Sequence, residues 1–567
     1  MKNQSSVFDR QSSAKNTSLV VGLWSLDRKR SRGADRCSLV VLAVCAFSLA
    51  SSAQAWHAKI THHGGPVHVF SANLVTLPSA SSLYQVQIMV RAGSANDSAG
   101  KEGTANLVAR ALIEGGFGDP KNPVTKEKLA EITRPWGDAA LPQVRVDKEV
   151  TTFSMIVPRN AFPQFVEQVL KPMFNQPLWT QNELDRLRRE ALTEIQSGLR
   201  FEDEESLGLA SLDNWVYEGT RLSHLTTGTV KGLQGVTRDD LEAFYKNYYG
   251  VSNMLVATSI NDQDQLTTLT ESLPKGAGNI ASAPAGAANT EFGHRLLIIT
   301  QPNAIATGLH LGFPIAVNRT SDDYWAMFVG NVFLGLHRDS FGRMYMEIRE
   351  QRGYNYGDYS YVEYLSGRPF FLVPPPSTPR TQQYFSIWIR PVGHQYTHFI
   401  LKAMTEELDR FIRDGLTPDQ VAQAKVRART LYLNYAESLS RQLGYRLDDM
   451  FYGMKDHGYL QEMLAKIDAV TPEQVNAALK KNLQMANLKY VIVTNESVGD
   501  KLADDVASGT NVTSKTLAEY HISEPIPPEK QKMLDQDEKW KAFPLNIPRE
   551  NIRVVKAADM FEDAGKP

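Results

Sequence analysis

Gly103-Thr-Ala-Asn106-Leu-Val-Ala109-Arg110-Ala-Leu-Ile-Glu-Gly115-Gly116 is the stretch on which the fold turns. Ala105, Val108 and Leu112 recur at i, i+3 and i+7, the spacing of one buried face of a helix. The Gly115-Gly116 pair predicts a stop immediately after it. Just upstream, Gln85-Val-Gln-Ile-Met-Val-Arg-Ala-Gly-Ser94 reads as a strand that ends in a Gly-Ser turn. A strand, a tight turn and an amphipathic helix therefore open the first unit.

The same kind of unit occurs twice. Val236-Thr-Arg-Asp-Asp-Leu opens a helix leading into the strand Asn253-Met-Leu-Val-Ala-Thr. Val470-Thr-Pro-Glu-Gln-Val opens a helix leading into Asn487-Leu-Lys-Tyr-Val-Ile-Val, and both pairs are 234 residues apart. In both, the Thr is placed as an N-cap, and Thr180-Gln-Asn-Glu and Thr417-Pro-Asp-Gln lead long charged helices at a similar offset. This predicts an α+β fold of two homologous sheet-and-helix domains. The boundaries read as residues 56–274 and 291–500. The Gly/Ala/Ser/Pro-rich stretch 275–290 is a linker, and 501–567 an extended C-terminal tail. Two such domains joined by a linker suggest a clam-shell.

Residues 1–55 read as a signal peptide. A cluster of arginines (Arg28, Arg30, Arg32, Arg36) precedes the apolar run 38–50, and Ala53-Gln-Ala55 fits a cleavage site. The alternative, a membrane anchor, suffers from a run too short to span a bilayer. Cleavage would place the protein outside the cytoplasm, in a bacterial periplasm. Both cysteines, Cys37 and Cys45, lie in this leader, so the remainder can form neither a disulfide nor a thiolate metal site. The leader carries eight Lys/Arg and three Asp/Glu, so the chain's net charge of −2 becomes −7 beyond it. That leaves no basic footprint for nucleic acid. No second apolar run is long enough for a membrane span.

The opening helix resembles the active-site helix of the pitrilysin/insulinase family of zinc metallopeptidases, whose inverted motif is H-x-x-E-H. Further segments carry the resemblance. Arg189-Glu-Ala-Leu-Thr-Glu194-Ile is similar to the family helix whose Glu is the third zinc ligand. Phe341-Gly-Arg343-Met-Tyr-Met-Glu-Ile-Arg349-Glu-Gln-Arg352-Gly-Tyr354-Asn-Tyr356 is similar to the second-half segment R-x-x-x-G-x-x-Y. In that register Asn106 stands at the first zinc histidine, Ala109 at the general base and Arg110 at the second histidine. Glu194 stands at the third ligand. No H-x-x-E-H or H-E-x-x-H occurs anywhere in the chain. Zinc in such a site needs imidazoles and a carboxylate, with a position left open for water. Asn106 is a poor ligand, Ala109 accepts no proton and Arg110 is a permanent cation. The expected cofactor content of this chain is therefore none, with Arg110 pairing to Glu194 in place of the metal.

Arg349 and Tyr356 point the other way. The resemblance implies that this pair binds substrate beside a zinc, Arg349 holding a carbonyl or carboxylate and Tyr356 donating to a developing oxyanion. Arg343, Arg352 or Tyr354 could be the working member of the segment instead. In two-chain members such as the mitochondrial processing peptidase, one chain carries zinc and the other lacks the motif. The implied role is an exported, non-catalytic subunit of a heterodimeric zinc metallopeptidase, which acts on peptides with a homologous zinc-bearing partner. The alternative is a structural or peptide-binding scaffold, as in the core subunits of respiratory complexes. A third reading, an active peptidase with a divergent site, needs ligands and a base that the sequence does not show. His394 and His398 share i, i+4 spacing, and His57, His62, His63 and His68 cluster near the start of the first domain. The first pair has no carboxylate in the same turn, and the second set reads as a solvated segment able to bind transition metals loosely. No Ser/His/Asp arrangement, phosphate loop or dinucleotide fingerprint stands out.

Overall fold

In this computed structural model, residues 73–276, 278, 288–337, 339–365, 373–454 and 458–565 are described. The expected leader, the four N-terminal histidines and most of the expected linker lie outside them. The first domain runs β1 (Leu74–Thr76), β2 (Leu83–Val90), α1 (Thr104–Glu114), β3 (Gln143–Val146), β4 (Thr151–Pro158), α2 (Gln181–Thr193), α3 (Glu204–Trp215), α4 (Arg238–Tyr248) and β5 (Met254–Thr258). The second runs β6 (Arg295–Gln301), β7 (Thr307–Ile315), α5 (Tyr324–Gly335), β8 (Gly357–Tyr361), β9 (Gln383–Val392), α6 (Thr397–Asp414), α7 (Pro418–Tyr435), α8 (Leu439–Phe451), α9 (Pro472–Asn482) and β10 (Lys489–Asn495). After it come α10 (Gly499–Ser508), α11 (Pro528–Ala542) and β11 (Ile552–Lys556). Further helices, among them Tyr459–Ala469, connect these elements.

The duplication is visible strand for strand. The first sheet has the order β1-β5-β2-β4-β3. The second has β6-β10-β7-β9-β8, with β11 added beside β6. In both, the two strands at the start of that order are parallel and every other pair in it is antiparallel. Thr237, Thr417 and Thr471 cap their helices through capping boxes, whereas Thr180 occupies the N-cap position of α2 without a side-chain cap bond.

The two domains interlock. Helix α3 of the first domain packs on β7, β9 and β10 of the second sheet, and α8 of the second packs on β2 and β5 of the first. The approach is close. A Cβ on Gly208 of α3 would lie 2.1 Å from the buried His310 ring on β7. The second sheet is therefore apolar on both faces. Leu296 and Ile298 of β6 join the second domain's core, while Leu297 and Ile299 join the first domain's. The seam also holds buried charge: Arg380 donates to Asp147 (3.1 Å) and Asp213 (2.5 Å) and stacks on Tyr364, and Thr381 binds Glu149. The contacts between the domains are helix on sheet in both directions.

The tail departs from the extended arm that was expected of 501–567. α11 is polar on most sides, but Met533, Asp537 and Trp540 fall at i, i+4 and i+7 and are buried. β11 pairs in parallel with β6 and widens the second sheet. The last segment then crosses to the first domain, where the Met560 carbonyl accepts from buried Arg200 and the Phe561 carbonyl from the Val230 amide. Among the described residues no helix is long and apolar enough to cross a membrane.

Candidate functional site

Helix α1 begins at Gly103, which has no side chain to cap it and sits at φ +115. The cap comes from Asp97, whose carboxylate accepts from the Gly103 and Ala105 amides, both at 2.7 Å. This satisfies two amides that a helix start leaves free. Burial pushes the Asp97 carboxyl up, against the pull of His224 at 3.3 Å. At the far end α1 stops at Gly115, followed by Gly116 at φ +86, as the sequence indicated.

One face of α1 (Ala105, Val108, Ala109, Leu112) is fully buried. The expected base position is thus a methyl group in the core. Asn106 is half-buried and donates to the Thr227 carbonyl at 3.4 Å, and the Thr227 hydroxyl donates to Glu194 at 3.1 Å. The first- and third-ligand positions therefore meet the same residue. Arg110 does not pair with Glu194. Its Nε donates to Glu114 (3.2 Å) and its Nη2 to Glu190 of α2, one helical turn before Glu194. Arg186 joins the same carboxylates, bonding Glu190 at 2.8 Å and lying 3.5 Å from Glu114, while Lys126 bonds Glu114 at 2.5 Å. Partial burial would raise both carboxyls. The hydrogen bonds from Arg186 and Arg110 hold Glu190 below its ordinary range, and those from Lys126 and Arg110 do the same for Glu114.

These groups do not fit a zinc ion. Arg110 offers only donors, Ala109 nothing, and both nearby carboxylates are occupied by guanidinium and ammonium groups. Among the described residues no three His, Cys, Asp or Glu side chains gather in a way that could hold a metal. His394 bonds Thr307 and the Ala304 carbonyl. His398 is buried, and burial together with Lys402 pulls its pKa down to about 4.

Arg349 and Tyr356 lie side by side on the second domain. Arg349 lies in the last turn of a short π-helix, Tyr345–Glu350, its guanidinium 4.6 Å from the Tyr345 ring centre and 5.8 Å from that of Tyr356. It pairs with neighbouring Glu350, at 2.8 Å. Tyr356 is 75% exposed. The other members of the segment are committed elsewhere. Arg343 pairs with buried Glu407, Tyr354 is buried against Tyr520, and Arg352 is buried between Asp537 and Trp540. Beneath the pair, burial pushes the Asp358 carboxyl up to about 8, against a hydrogen bond from Asn355 and the charge of Arg349. Sequence reasoning missed Asp97, Glu190 and Asp358. Glu190 alone had a signal, its i, i+4 spacing from Arg186.

Residues 75–226 match the family profile described as insulinase (peptidase family M16), and residues 235–427 the one described as peptidase M16 inactive domain. An uncharacterized zinc protease of Streptomyces coelicolor is 27% identical over 49% of this chain and 59% of its own length. One of Mycobacterium tuberculosis is 25% identical over 45% of this chain and 54% of its own. The matched region thus spans little more than half of these relatives. Among solved structures, a peptidase M16 inactive domain from Pseudomonas fluorescens superposes with a TM-score of 0.61 at 21% identity, covering 74% of this chain and 94% of that one. A Helicobacter pylori protease gives 0.63 at 13% identity, covering 74% and 96%. With both profiles matched in order along its two sheet-and-helix domains, the chain is a homologue of the insulinase family, peptidase family M16.

Proposed function

We propose that this chain is an exported, non-catalytic subunit of a two-chain zinc metallopeptidase, in which a homologous partner carries the metal. The observation that carries this reading is a contrast within one molecule. The positions that hold zinc and base in the family are Asn106, buried Ala109 and ion-paired Arg110, whereas Arg349 and Tyr356 stand accessible and adjacent. A guanidinium and a phenol at that spacing can bind a peptide carbonyl or carboxylate and donate to an oxyanion. In this reading the chain supplies half of the chamber and these two groups, and the partner supplies zinc and base.

The test is reconstitution. Family members that retain H-x-x-E-H and come from the same source are co-expressed with this chain, and cleavage of an unstructured peptide is measured. Cleavage that needs both chains, stops with chelator and falls at least tenfold in Arg349→Ala supports the reading. Cleavage by the partner alone, unchanged by this chain, overturns it and leaves the scaffold role.

A further inference from the structure

The C-terminal tail makes polar contacts with the loop that carries Arg349 and Tyr356. Lys515 Nζ donates to the carbonyls of Arg352 (2.9 Å) and Gly353 (2.7 Å), just past the end of the short helix bearing Arg349. The same ammonium lies 4.9 Å from the Tyr354 ring centre, and the Lys515 amide donates to the Tyr354 hydroxyl at 2.8 Å. Further along the tail, Tyr520 bonds Tyr354 (2.8 Å) and Asp537 (2.6 Å). Asp537, the Met533 carbonyl and the face of Trp540 together enclose the Arg352 guanidinium. Gly353 itself turns at φ +64, with its amide donating to the Arg349 carbonyl at 2.7 Å. Residues 349–356 are thus held from below by a segment lying past residue 427, where the family profiles end.

We propose that residues 515–540 are a clamp that positions the Arg349/Tyr356 pair, with Lys515 as its positioning residue. Cationic donors at carbonyls beyond a helix end stabilise that end. Here the fixed end sets where the Arg349 and Tyr356 side chains start. Lys515 is half-buried, with the Tyr354 ring and the Glu519 carboxylate near its ammonium, and it can be altered without opening the hydrophobic core. The proposal rests on reading Arg349 and Tyr356 as a substrate-binding pair, and its test separates the two.

Lys515→Met, Lys515→Arg and Arg349→Ala are compared with the unaltered full chain. Amide hydrogen exchange is followed over residues 345–357, and binding of a fluorescein-labelled casein peptide by anisotropy. The clamp predicts exchange at least fivefold faster across 350–356 in Lys515→Met, with global melting little changed. It also predicts weaker peptide binding in Lys515→Met, with both effects recovered in Lys515→Arg. Unchanged exchange in Lys515→Met overturns the clamp. So does binding lost in Arg349→Ala but intact in Lys515→Met. If Arg349→Ala leaves binding unaltered, the substrate-binding reading fails, and exchange alone then judges whether the tail holds the loop.

Discussion

Arg110 of α1 is bonded to Glu190 of α2, so an ion pair joins the two helices where the family resemblance places a metal. Arg186 shares Glu190, and Glu114 closes the group from α1 itself. A metal site of this kind ties its ligand helices together. Here a network of guanidinium and carboxylate groups does so, and each carboxylate lowered by its cations marks the exchange.

The first prediction concerns that network. Arg110 is mostly buried and Glu190 is 44% exposed, so solvent screening keeps the pair modest. Arg110→Met should lower unfolding stability by about 1 kcal/mol. A double-mutant cycle with Glu190→Gln should give a coupling of about 0.5–1 kcal/mol in urea unfolding. Strictly additive single effects would show that the two side chains do not interact in solution.

A second prediction concerns the seam between the domains. Arg380 is fully buried, with Asp147 and Asp213 as partners. Arg380→Met leaves two carboxylates without it and should cost about 3–5 kcal/mol. Because each domain lends a helix to the other's sheet, both should unfold in one transition, read by calorimetry. Two separate transitions in the unaltered chain would contradict the interlocked fold.

A third prediction follows from Asp358. Its carboxyl is pushed up to about 8 by burial, opposed by Asn355 and Arg349, whereas an unfolded Asp titrates near 4 (roughly). The folded state therefore holds the proton more tightly. This contribution is fully present below the unfolded value and is lost as pH rises through the folded one. Stability should decline on the order of a few kcal/mol between about pH 4 and pH 8. Asp358→Asn, which keeps an acceptor for Asn355, should flatten that decline in denaturant unfolding. An unaltered pH profile would show that Asp358 titrates normally.

Much of the fold was legible because periodicity and capping are local. Thr237, Thr417 and Thr471 cap where their spacing placed them, and the repeat they mark reappears as matching strand orders. What the sequence hid was set by distant partners. The eight residues from Met533 to Trp540 include one buried stripe on an otherwise charged helix, so α11 reads as a solvated arm until its neighbours are known. The exchange of α3 and α8 depends on which sheet lies opposite Gly208, and that contact lies 102 positions away, at His310. At the site, the family register placed Asn106 and Glu194 beside the shared Thr227. The partner of Arg110 was missed by one helical turn, because an arginine's reach is decided by its competitors for carboxylate, here Arg186 and Lys126.

The account stands most directly on metal content. The purified chain is incubated with excess zinc, desalted, and analysed for bound metal, and the same sample is assayed for chelator-sensitive peptide cleavage. The prediction is no stoichiometric zinc and no cleavage, because Asn106, Ala109 and Arg110 give it neither ligands nor a base. One tightly held equivalent of zinc with cleavage that a chelator abolishes would contradict the central claim.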